Sequence, residues 1–140
     1  MSGTQRIKIV KAITDLIKNN IPEFYDNVIP KLKFWDEVED FPHCSVSSTG
    51  EQREYLPSSF EWGYLTISIR VYVKEDMTAP ETLDALLGSI EDLIRANIVL
   101  SYDVGKETTD MRILSVDTDG GLLEPLGVGE LLLIVQYEVH

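Results

Sequence analysis

"WGYLTISIRVYVK", residues 62–74, is the stretch that decides the fold. Leu65, Ile67, Ile69, Val71 and Val73 take every second position, and Tyr64, Thr66, Ser68, Arg70, Tyr72 and Lys74 take those between. Successive side chains of an extended chain point to opposite faces, so this alternation predicts a strand with one apolar and one polar side. Its β-branched content suits a pleated, half-buried surface. Such a strand needs partners, and a core against its apolar side.

Helical patterns flank it. On the N-terminal side Ile9, Val10, Ile13, Leu16 and Ile17 recur at helical spacing, with Lys8, Lys11, Asp15 and Lys18 opposite, which predicts a helix over about 5–20. Pro22 ends it, because proline disfavours helical geometry in the residue before it. On the C-terminal side Leu83, Leu86, Leu87, Ile90, Leu93 and Ile94 predict a second helix over about 79–96, opened by a Thr78-Ala79-Pro80-Glu81 capping box. Further strands are expected over about 42–48, 111–117 and 130–139, with short strands near 24–28 and 33–38. The polar stretch 49–60 reads as a mobile loop. The expected architecture is α+β: a single, mostly antiparallel β-sheet covered on one face by two amphipathic helices. A chain of 140 residues fits one domain, 1–140.

Charge is unevenly spread. The net charge is −12, yet residues 1–33 hold six cations against Asp15, Glu23 and Asp26, a balance of +3 that leaves −15 for the rest. A body this acidic repels DNA and anionic membranes. The longest aliphatic stretch, Leu131 to Val135, is far shorter than the roughly 20 residues of a spanning helix. The start of the chain lacks a signal-peptide apolar segment, and the single cysteine, Cys44, fits a reducing compartment, so the chain reads as cytoplasmic.

The residues offer no catalytic, cofactor or metal constellation. In "VDTDGGLLEPLGVGELLLIVQYEV", residues 116–139, no lysine follows the glycines and a strand follows the loop, which argues against a phosphate cradle. Asp117 and Asp119 lack the remaining ligands of a calcium loop, and Asp119-Gly120-Gly121 reads as turn chemistry. Neighbours on a strand face apart, so His43 and Cys44 are not a nucleophile–base pair, and Cys44 is expected to be buried. Asp36, Glu37, Glu39 and Asp40, beside Trp35, form either a solvated face or a docking surface. The polar face of residues 62–74 meets solvent, another subunit or a ring lumen.

Three segments carry a family resemblance: "FEWGYLTISIRVYVKE", "TAPETLDALLGSIEDLI" and "RILSVDTDGGLLEPLGVGELLLIVQYEV". With the N-terminal helix and the "DFP" before the first long strand, they resemble the tail terminator (tail completion) proteins of long-tailed bacteriophages. The resemblance implies a structural protein of the virion tail, at the head–tail junction, that is not an enzyme and has no cofactor. It implies a homohexameric ring that caps the tail tube, stops its polymerisation and meets a tail-tube protein on one side and a head or neck completion protein on the other. DNA would pass through the lumen without specific binding, and no membrane is involved. On this reading Asp117, Asp119 and Glu124 face the lumen or a ring interface. Arg70 and Lys74 make subunit contacts, and Trp35, Asp36, Glu37, Glu39 and Asp40 dock a partner. Other readings are a head–tail connector or tail-tube subunit, a small metal-dependent hydrolase, and a generic acidic interaction domain.

Overall fold

The computed structural model describes residues 2–75, 79–123 and 125–140. Helix α1 spans Ser2–Asn20 and helix α2 Ala79–Arg95. The strands are β1 (Val28–Ile29), β2 (His43–Leu56), β3 (Phe60–Lys74), β4 (Ser101–Asp103), β5 (Lys106–Glu107), β6 (Asp110–Thr118) and β7 (Leu126–Glu138). Five of them form one sheet in the order β1-β2-β3-β7-β6, while β4 and β5 pair separately. The β1–β2 pair is parallel and the other pairs are antiparallel.

The apolar face read from β3 is realised. Leu65, Ile67, Ile69 and Val71 are wholly buried, and across the ladder Leu131, Leu133, Val135 and Tyr137 of β7 join them. Helix α1 covers the β1–β2 side of this apolar face and α2 the β3–β7–β6 side. Ile9, Ile13 and Ile17 of α1 and Leu83, Leu87 and Ile90 of α2 complete the core. Burying one such side chain contributes about 1.5–3 kcal/mol.

Structure and sequence reading part in five places. Residues 49–60 are not a mobile loop: β2 continues to Leu56, and a short 3-10 helix, Pro57–Ser59, turns it into β3. After a bulge at Thr49, each residue from Gly50 to Leu56 faces one of β3, down to Leu56 opposite Phe60, and this pairing satisfies the backbone of a polar stretch. Strand β7 begins at Leu126, so Gly127 and Gly129 lie in a strand rather than in the turn. In place of the strands near 24–28 and 33–38 there are two 3-10 turns, Pro22–Phe24 and Trp35–Glu37, and the two-residue β1. The small β4–β5 hairpin has strands of only three and two residues, too short to carry a periodic signal in the sequence. Finally, Tyr72 and Ser68, on the polar side of β3, are 2% and 3% exposed. The segment between β1 and β2 folds over the Tyr72 end, and the Tyr72 hydroxyl donates to the Lys33 carbonyl at 2.6 Å. The capping-box residue Thr78 lies outside the described residues.

Candidate assembly surfaces

At the β2 side of the sheet, α1 is held by polar contacts that hydrophobic periodicity cannot reveal. Gln5 is buried; its amide donates to the Tyr102 hydroxyl and the Glu138 carbonyl, each at 3.0 Å, and its carbonyl oxygen accepts from the His140 amide. Glu51 of β2 accepts from Arg53, from Arg6 of α1 at 3.3 Å and from the Tyr137 hydroxyl. Burial and the Glu51 carboxylate raise the pKa of Tyr137, so its phenol stays a donor. Lys8 reaches Asp103 at 2.7 Å and holds that carboxyl below its usual range.

Outside these contacts α1 and the β1 end enclose an open groove of about 910 Å³. Ile7, Val10 and Leu32 give it an apolar floor, and Lys11, Lys18 and Lys31 line it with Asp15 among them. Ile7 is 71% exposed, which is unusual for an isoleucine on a core helix.

The opposite edge of the sheet is β6. Asp117 stands exposed there, opposite Glu130 of β7. Asp119 shapes the turn that follows: its carboxylate accepts from the Gly121 and Leu123 amides at 3.3 and 3.2 Å. Gly120 and Gly121 take positive φ, of 63° and 84°, the conformation expected of this turn. Leu114 and Leu122 are 59% and 89% exposed beside these carboxylates. Glu124 lies outside the described residues.

Arg70 is engaged within the chain. Its Nε donates to Glu130 at 3.0 Å, and Ser68 donates to the same carboxylate oxygen at 2.7 Å. The Ser68 hydroxyl, with Arg70, keeps Glu130 below the usual carboxylate range. Lys74 lies 6.0 Å from the Phe41 ring centre and shares a hollow of about 480 Å³ with Asp36, Val38, Leu123, Pro125 and Leu126. The acidic run and Lys74 therefore meet at one end of the sheet, while Arg70 faces its open side. Asp36, Glu37, Glu39 and Asp40 are all exposed. The side chain of Trp35 is outside the described set.

His43 and Cys44 are both buried and do not pair. Cys44 faces the core, where burial pushes its thiol pKa up and keeps it protonated. The His43 Nδ1 lies 3.0 Å from the Asn27 Oδ1, which only accepts, so Nδ1 carries the proton and Nε2 accepts from the Ser45 hydroxyl at 2.8 Å.

The fold defines a small α+β protein, one five-stranded sheet covered by two helices. Its fold matches that of a chain in the virion of a native gene transfer agent particle, with a TM-score of 0.64, 12% identity, and coverage of 94% of this chain and 95% of that one. The family model described as Bacteriophage Tail Tube Terminator Protein matches residues 3–140. The tail tube terminator protein p142 of Escherichia phage T5 is 33% identical over 150 residues, covering 95% of this chain and 93% of p142. The chain belongs to the bacteriophage tail tube terminator family, as the three resembling segments suggested, and is a structural component of the virion tail.

Proposed function

We propose that six copies of the chain close into a ring that caps the tail tube, stops its polymerisation and joins the tail to the head or neck proteins. The family match across residues 3–140 is the observation that carries this reading. The protein acts by docking and not by catalysis. A tail-tube protein meets one side of the ring and a head or neck completion protein the other, with the exposed acids Asp36, Glu37, Glu39 and Asp40 and the Lys74 hollow as one docking surface.

Electrostatics suit a conduit. Duplex DNA carries about one charge per 1.7 Å of axis, so a basic lumen would hold the genome rather than let it slide. Six chains of −12 sum to 6 × 12, or −72, which disfavours such retention. Electron microscopy of tails assembled with and without the protein tests the role. Overlong or unfinished tubes in its absence are expected. Tails of normal length that still join heads would refute it.

A further inference from the structure

The two sheet edges are chemically complementary. One bears the groove, whose floor includes the exposed Ile7 and Leu32. Arg6, Lys8, Arg53, Arg70, Arg95 and Arg112 all have carboxylate partners. Among the described residues, the ion pairs include none for Lys11, Lys18 or Lys31, which converge on the groove with only Asp15 to offset them. At the other edge, residues 113–123 of β6 and its turn carry two carboxylates and no cation, the preceding Arg112 being paired with Asp110, and they expose Leu114 and Leu122. Strand order places β1 and β6 at opposite ends of five strands, roughly 19 Å apart at the usual spacing.

We infer that the groove beside α1 receives the β6 edge and turn of the next copy, Asp117 meeting the lysines and Leu122 the apolar floor. Deepening the ring reading and resting on it, this assigns the subunit interface. Two different patches on opposite edges make a head-to-tail contact, which leaves a row of copies with an unused groove at one end and an unused edge at the other unless the ring closes. Desolvated leucines supply the attraction, and the charges fix register and exclude a groove-to-groove pairing of like sign.

Cross-linking gives a direct test, because the one native thiol, Cys44, is wholly buried and should stay silent. Ile7→Cys combined with Leu122→Cys in one chain should give, on oxidation, a ladder of covalent oligomers, while each single variant gives none. Self-cross-linking of Ile7→Cys alone would reveal a symmetric dimer and overturn the assignment. So would intact rings without a ladder. As a second measurement, the Lys11→Glu, Lys31→Glu double variant should form smaller species than the wild-type ring in light scattering, and adding Asp117→Lys should partly restore the ring. If that reversed-charge variant keeps its rings but loses tail-tube binding, the groove serves the tube protein and the inference fails. Wild-type protein that stays monomeric both free and on tubes would instead sink the ring reading itself.

Discussion

Gly63 lies beneath the ring of Tyr137, and a Cβ added there would fall 2.6 Å from the ring's Cε1. The ring has little room to yield, because its hydroxyl is tied to Glu51 and its face meets Tyr102 edge-on at 6.4 Å between centres. Gly63→Ala is therefore expected to cost about 1–3 kcal/mol by overpacking. Urea unfolding measures this, and the cost should shrink in a Tyr137→Leu background, where the ring is gone. His43 supports a second expectation at this scale. Burial, and then the nearby Lys33 charge, lower its pKa from 6.5, so between that folded value and 6.5 the unfolded chain binds more protons. Stability is full above pH 6.5 and falls as the pH drops below it. Melting temperatures across this range should decline, and His43→Gln should flatten the decline. The carboxylates of Glu130 and Asp103, whose values are also lowered, lose their contributions only in more acidic solution.

The hairpin of β2 and β3 is the element whose character changed most between sequence and structure. Its outer half lies beside the Glu51 cluster, which ties it to Arg6 of α1 and Tyr137 of β7. Glu51→Ala would leave Arg53 and the Tyr137 hydroxyl without that acceptor, at a cost of about 1–3 kcal/mol. In hydrogen exchange, ladder amides of residues 50–56 should be protected in the wild type and lose protection in this variant. Exchange of these amides at unstructured rates in the wild type would contradict the hairpin. The packing of α2 gives the other element-scale expectation. A Cβ on Gly129 would sit 2.8 Å from Leu87 and 3.1 Å from Leu83, so the helix lies close on β7 because that position has no side chain. Gly129→Val should push α2 off the sheet and lower the thermal midpoint by several degrees, the shift that about 1–3 kcal/mol produces in a domain of this size.

For the molecule as a whole, charge distribution matters more than any single ion pair. Exposed pairs such as Arg95 with Glu91 and Asp92 contribute at most a few tenths of a kcal/mol each. The net charge of −12, with its positive surplus confined to α1 and the segment just after it, sets what the molecule attracts. Duplex DNA mixed with the protein at physiological salt should migrate unretarded in a native gel, since counterion release has too few cations to drive binding. A retarded band would show a basic surface that the charge distribution does not provide.

Much of this architecture follows from local order in the chain. Alternation over residues 62–74 and helical spacing on both sides are enough for an α+β sheet with two covering helices, because periodicity records which face each element buries. The turn chemistry of Asp119, Gly120 and Gly121 was equally legible, since positive φ has a local signature. The three resembling segments carried the family, but residue chemistry alone supplied no site. Tertiary structure decided the rest. Glu51, Gln5 and His43 read as ordinary polar residues until distant partners gathered around them, and Gly127 and Gly129 read as turn until α2 was seen to press on β7. Only the strand order placed the lysine-lined groove and the acidic edge at opposite ends of one sheet. Sequence patterns report a residue's environment through short-range spacing, whereas which edges and faces remain open depends on contacts between residues far apart along the chain.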